Sequence, residues 1–102
     1  MADKYVYIAA MDVDPSKEAD FNDCYDTEHV PALLTVPGVL SAKRYRAEDG
    51  SPKYLAVYEI ESPDVVQSEA WVAAADSGRW PTEIRPFCRN RNRIVYKLIG
   101  DE

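Results

Sequence analysis

The sequence predicts an α+β fold with the element order strand, helix, strand, strand, helix, strand. Three observations carry that prediction. Four segments alternate their side chains at the two-residue period of a strand. Two helix starts share one signal, a capping residue followed by proline, at Asp14-Pro15 and Ser62-Pro63. A turn containing Asp49-Gly50 joins the two middle strands as a hairpin.

The first strand is expected over Lys4 to Met11. Tyr5, Tyr7, Ala9 and Met11 fall on one face, and Val6, Ile8 and Ala10 on the other. Neither face is polar, which predicts cover on both sides. Asp14 then caps a helix whose positive end is favoured by Glu18 and Asp20. Phe21, Tyr25 and either Glu28 or His29 share one face of it at the helical period. The helix is expected to end near Glu28, because Pro31 follows and the residue before a proline is biased out of helical geometry. Pro31 to Leu34 adds a short turn, and Pro37-Gly38 breaks the chain. Val39 to Arg46 is the second strand. Lys53 to Ile60 is the third, with Tyr54, Ala56, Tyr58 and Ile60 on one side. The second helix runs from Ser62-Pro63-Asp64 to about Asp76 and ends at Ser77-Gly78. Trp80-Pro81 opens an irregular or single-turn segment that Pro86 closes, and Arg93 to Ile99 is the last strand. No linker divides the 102 residues, so one domain is expected over the whole chain.

This order is the ferredoxin-like βαββαβ arrangement, a four-stranded antiparallel sheet with both helices on one face. The opposite face would stand open in a monomer. Its apolar and aromatic side chains predict burial against a second copy, giving a homodimer.

Composition narrows the function. The formal net charge of −6 argues against nucleic acid, whose phosphates need clustered Lys and Arg. The basic residues are nevertheless grouped. Arg79, Arg85, Arg89, Arg91 and Arg93 come late, so a positive cavity can exist on an acidic protein; solvated strand and loop positions are the simpler account. No apolar run reaches the roughly 18 residues of a membrane span, and no membrane partner is expected. The first residues lead straight into a strand without a signal peptide, and two cysteines far apart suit a reducing cytoplasm. One histidine and two distant cysteines make no metal site, and no cofactor motif is present. Cys24 has no basic neighbour in sequence; Cys88 has Arg85, Arg89 and Arg91 nearby, which can lower a thiol pKa, but neither cysteine is expected to be a reactive thiol.

His29, the single histidine, lies in the run Tyr25-Asp26-Thr27-Glu28-His29-Val30-Pro31. It is the side chain whose unperturbed pKa lies nearest neutrality. A histidine at a helix end can also simply cap carbonyls.

The chain resembles the EthD-like branch of the dimeric α+β barrel superfamily. Three stretches carry the resemblance. That first run is similar to the family's aromatic-x-x-acid-His-x-Pro pattern. Pro37-Gly38-Val39-Leu40-Ser41-Ala42-Lys43-Arg44-Tyr45 is similar to its entry into the second strand. Tyr54-Leu55-Ala56-Val57-Tyr58-Glu59-Ile60 is similar to its third strand. Many relatives carry Trp in place of Tyr25. The resemblance implies a homodimer with a small-molecule cavity between sheet and helices; it does not fix a reaction.

Two functions stay open. One is a cofactor-independent enzyme of isomerase, cyclase or lyase type, with His29 transferring a proton. In it, Asp26 and Tyr25 lie within a helical turn of the imidazole, the carboxylate raising its pKa. Tyr5, Tyr7 and Tyr58 can donate hydroxyls to a substrate oxygen, Arg44 can bind a carboxylate, and Trp80 can wall the cavity. The other is a non-catalytic binding protein for an aromatic or hydrophobic metabolite. Haem binding through His29 carries no specific sequence signal.

Overall fold

The computed structural model describes residues 3–100. Four strands form one antiparallel sheet: β1 (Tyr5–Val13), β2 (Val39–Arg46), β3 (Tyr54–Ile60) and β4 (Cys88–Lys97), in the spatial order β2-β3-β1-β4. This is the ferredoxin-like topology the sequence predicts. Register explains which side chains face the helices. Tyr7 pairs with Tyr58 and with Val95, Ala9 with Ala56 and Arg93, and Met11 with Tyr54. Because side chains alternate, this set of residues shares one face, and Ala9, Met11, Tyr54, Ala56 and Tyr58 are buried there.

β4 begins five residues earlier than its apolar pattern suggests. Its first half is polar and charged, and a bulge interrupts its pairing with β1 between Ala10 and Asp12. Asn90 holds φ 56°, a left-handed conformation that Asn tolerates, and its amide donates to Asp12 at 2.8 Å. Arg91 and Arg93, two residues apart, both turn to the helix side by ordinary alternation. The extra residue shifts the alternation before them, so Arg89 leaves that face and pairs with Asp14 outside it.

The first helical segment also differs from expectation. It does not stop before Pro31. A 3₁₀ turn at Pro15–Lys17, capped by the Asp14 carboxylate, leads into α1 (Glu18–Cys24). A π-helical turn over Tyr25–His29 follows, and α2 (Val30–Leu34) continues the rod. The physical reason lies in the proline. Pro31 has no N–H to give the preceding turn, and its ring collides with the carbonyl four residues back in a regular helix. Widening the turn relieves the collision: the Val30 N–H reaches back five residues to the Tyr25 carbonyl. The same device recurs at Trp80–Ile84, where the Arg85 N–H reaches the Trp80 carbonyl just before Pro86.

The second helix divides in two. Pro63–Gln67 is a 3₁₀ turn, and α3 (Glu69–Ala75) starts afresh after Ser68. Ser68, not Ser62, is the α-helical cap, its hydroxyl accepting from the Trp71 N–H at 3.1 Å. Gly38, at φ +93°, lets the chain pass close to this turn; a Cβ there would meet Val65 Cγ2 at 2.5 Å. No helix among the described residues is long and apolar enough to cross a membrane.

If Pro31 enforces the wide turn, Pro31→Ala releases it. One residue regained by an α-helix turns the upstream face by about 100° relative to the downstream one. The variant is expected to fold with a changed near-ultraviolet spectrum from displaced Tyr25 and His29 against Trp80. An unchanged spectrum would show that the turn is held by packing alone.

Candidate active site

Two π-helical turns meet over the sheet. Tyr25 and His29 come from the first, Trp80 from the second. The His29 ring lies face to face with Trp80, centroids 4.4 Å apart and planes 24° from parallel. Tyr25 meets both edge-on, at 5.0 and 5.1 Å. A polar clamp holds the turns together. Glu28 accepts from the Arg79 backbone N–H at 3.0 Å and from Arg79 Nε at 2.6 Å, and the same guanidinium reaches Asp23 at 2.8 Å. Gly78, at φ +66°, makes room: a Cβ there would sit 2.5 Å from Glu28 Oε1.

Beneath this stack is a cavity of ≈ 420 Å³ between sheet and helices. Its walls include Tyr7, Met11 and Tyr58 from the sheet, Tyr25, His29 and Leu33 from the first helical rod, and Trp71 and Trp80 opposite. Three guanidiniums, of Arg85, Arg91 and Arg93, complete it together with the Asp76 carboxylate, which is hydrogen-bonded to Arg85. The volume, and a lining that combines aromatic rings with a few charged groups, suit a small-molecule site.

His29 is 6 % exposed, and its Nδ1 is sealed in without a hydrogen-bond partner. With Nδ1 enclosed, Nε2 is the ring nitrogen that a ligand can reach. Burial, reinforced by the positive charges of Arg85 and Arg91, pushes the His29 pKa down to about 4. The imidazole is therefore neutral at pH 7, whereas a neighbouring carboxylate was expected to raise its pKa. Asp76 does act in that upward direction, but burial and the arginines outweigh it. Tyr58 Oη is likewise buried and unpartnered, and burial raises the pKa of Tyr58, Tyr25 and Tyr7. All three stay protonated as potential donors.

Of the residues singled out from sequence, Tyr7, Tyr25, His29, Tyr58 and Trp80 line this cavity. Asp26, Arg44 and Tyr5 do not. Asp26 points outward and is paired with Arg44 at 2.8 Å, so the carboxylate one turn from His29 is not its partner. Arg44 also donates to Asn22 at 2.7 Å and lies 4.6 Å over the Tyr25 ring, supporting the aromatic wall from behind. Tyr5 sits at the far end of the same strand face, with its hydroxyl 3.5 Å from Asp3. The thiol of Cys88 is not activated: burial pushes it up to about 11 against the pull of Arg91 and Arg85. Sequence reasoning named the late arginine group but did not assign Arg85, Arg91, Arg93 or Asp76 to the site; Arg91 falls before the strand start expected at Arg93. Among the described residues, no group of three His, Cys, Asp or Glu side chains is placed to hold a metal ion.

Fold and site together define an α+β protein with a buried neutral imidazole in an aromatic, cation-lined cavity. No protein-family model matches the chain, and no curated protein matches it. Solved structures do. The heme-degrader MhuD from Mycobacterium tuberculosis superposes with a TM-score of 0.69 at 20 % identity, covering 96 % of this chain and 98 % of that one. SnoaB, a cofactor-independent oxygenase from Streptomyces nogalater, gives 0.72 at 13 %, covering 98 % and 97 %. An EthD family protein from Bacillus halodurans gives 0.66 at 15 %, covering 93 % and 99 %. The chain shares the four-stranded ferredoxin-like α+β fold of these proteins.

The depressed imidazole pKa makes stability depend on pH. Unfolded, His29 takes up its proton near pH 6.5; folded, near 4. Between those values the unfolded chain holds the extra proton, so stability rises with pH and the His29 contribution is complete above 6.5. The full effect is about 3 kcal/mol. Urea unfolding at about pH 4.5 and 7.5 is expected to show a smaller stability difference in His29→Asn than in the wild type. Equal differences in the two proteins would contradict the buried, neutral ring.

Proposed function

We propose that this protein is a cofactor-independent enzyme that moves a proton on a planar, conjugated small molecule, with His29 as the base. One observation carries the proposal: a neutral imidazole with an unpartnered Nδ1 lines a cavity whose other polar groups are guanidiniums, tyrosine hydroxyls and the Asp76 carboxylate that Arg85 engages. A flat ligand suits the rings of Trp71, Trp80, Tyr7 and Tyr58. The proton passes from an acidic carbon or hydroxyl to Nε2 of His29. The electron pair of the broken bond moves onto the conjugated oxygen, giving an enolate or phenolate. The Tyr58 hydroxyl donates to it, and the positive field of the arginine-lined wall stabilises it. Return of the proton at a different atom is an isomerisation, and attack of the carbanion on an internal carbonyl is a cyclisation. SnoaB, which shares the fold, is a cofactor-independent oxygenase, which supports chemistry run by side chains alone.

The working unit in this reading is a homodimer. The sheet face away from the helices presents Tyr45, Ile94 and Tyr96 exposed, with Leu40 and Leu98 at its edge. A chain this small gains by burying such a face against its own copy. The two free thiols, Cys24 and Cys88, suit a reducing cytoplasm.

Deuterium uptake at the activated carbon of 2-tetralone, followed by NMR in D₂O, tests the chemistry. The wild type is expected to accelerate exchange, and His29→Gln to lose about 100-fold or more of that acceleration with an unchanged melting temperature at pH 7. A variant that binds and exchanges as the wild type does removes His29 from the chemistry. Binding without exchange in the wild type leaves a non-catalytic binder of a hydrophobic metabolite. A Soret band in freshly purified protein, lost in His29→Ala, would replace the proposal with haem binding. Sedimentation at micromolar concentration is expected to give a dimer, and Tyr96→Glu, which puts a charge on the open face, a monomer.

A further inference from the structure

Arg91 and Arg93 stand in the cavity without counter-charges. The ion pairs of the described residues include Arg44, Arg79, Arg85, Arg89, Lys53 and Lys97, but neither of these two. Arg91 Nε is, in addition, buried with no hydrogen-bond partner. An unmade hydrogen bond from a buried charged donor costs free energy that a bound acceptor would recover. Strand alternation places Arg91 on the face that Arg93 occupies, and the bulge at Asn90 turns Arg89, of the same parity, away from it. Asp76, the single carboxylate in the wall, is taken up by Arg85. Three guanidiniums against one spoken-for carboxylate leave an excess of positive charge inside a protein whose net charge is −6.

From this geometry we infer that the ligand of the cavity is a planar aromatic acid, its carboxylate held by the Arg91 and Arg93 guanidiniums while its rings lie among Trp71, Tyr7 and Tyr58. The guanidinium fork matches the two oxygens of a carboxylate, and its fixed geometry sets the ligand's orientation. Tyr7 and Trp71 meet edge-on at 5.1 Å, and Tyr58 and Trp71 at 5.5 Å, a framework of rings suited to a flat apolar body. The chemical class is therefore a fused-ring or phenolic carboxylic acid rather than a neutral polycycle or an aliphatic acid. This inference deepens the proton-transfer reading, since it names the substrate class of the same cavity. It also adds a link between binding and chemistry: the carboxylate neutralises the cations that hold down the proton affinity of His29, so the acid ligand prepares its own base.

The test uses 2-naphthoate and its neutral isostere 2-naphthamide, with quenching of Trp71 and Trp80 fluorescence as the readout at pH 7. The wild type is expected to bind the acid about 10- to 100-fold more tightly than the amide. Arg91→Gln is expected to bring the acid down to the amide's affinity while leaving the amide unchanged. Arg91→Lys should restore part of the preference, because charge returns without the fork. Arg89→Gln, outside the cavity, should leave both ligands unaffected. Equal affinities in the wild type, no binding of the acid below about 1 mM, or an undiminished preference in a folded Arg91→Gln would each overturn the inference. His29→Gln separates it from the proton-transfer reading. Retained preference for the acid with lost exchange on 2-tetralone supports both; preference for the acid in a wild type that exchanges nothing keeps the ligand class and discards the chemistry. Exchange on 2-tetralone without preference for the acid does the reverse.

Discussion

The stacking of His29 on Trp80 is the contact on which the site depends, and neither residue could reach it from a regular helix. Each belongs to a π-helical turn that ends two residues before a proline, Pro31 in one case and Pro86 in the other. The prolines withhold an N–H and exclude the ordinary carbonyl geometry, so both turns widen at the same kind of sequence position. Arg79 then fastens one wide turn to the other through Glu28 and Asp23. These exposed pairs contribute little stability one by one. Their effect is geometric: a two-point grip on Glu28, the residue before His29, fixes how the imidazole meets Trp80.

From that contact the layers follow. Tyr25 closes the edge of the stack, Phe21 packs behind it at 5.1 Å, and Tyr54 meets Phe21 at 4.9 Å from the sheet. The cation of Arg44 lies over Tyr25 on the outer side. The aromatic core and the cavity wall are thus one set of rings. Large residues in a close-packed interior leave few voids unless backbone or charge holds one open. Here the mutual repulsion of Arg91 and Arg93, together with their need for water or an anion, keeps the space beside the rings from collapsing.

The strand order, the hairpin and the two-sided apolar character of the sheet were legible because each rests on a local period or a turn signal. Tyr7, Tyr58 and Trp80 could be placed in the cavity wall because strand parity or a nearby proline fixes their facing. Asp26 misled because spacing along a helix ignores what crosses from the sheet: Arg44 takes the carboxylate outward, and the widened turn alters which neighbours face His29. Tyr5 has the parity of Tyr7 but lies beyond the reach of the helices. Arg91 was not legible because the apolar pattern starts the last strand at Arg93, which leaves Arg91 in what reads as the irregular segment before it. Proline was read as a stop because that is its commoner effect; inside a helix packed on both sides, tertiary contacts make widening the turn cheaper than ending it.

The electrostatics of the cavity place the imidazole and the guanidiniums in opposition. Burial and two cations depress the proton affinity of His29, so a base with a pKa of about 4 has little thermodynamic pull on a weakly acidic substrate at pH 7. An anion against Arg91 and Arg93 changes both sides of that comparison. It cancels part of the field that lowers the His29 pKa, and it gives the buried Arg91 Nε a partner. In the proposed reaction, the negative charge that develops on the substrate oxygen lies beside the imidazolium and the remaining donors, where opposite charges stabilise one another. Proton affinity in this cavity is a property of the complex rather than of the free protein. A histidine that looks too acidic to serve as a base in isolation is, for that reason, guarded against protonation by solvent until a ligand of the right charge arrives.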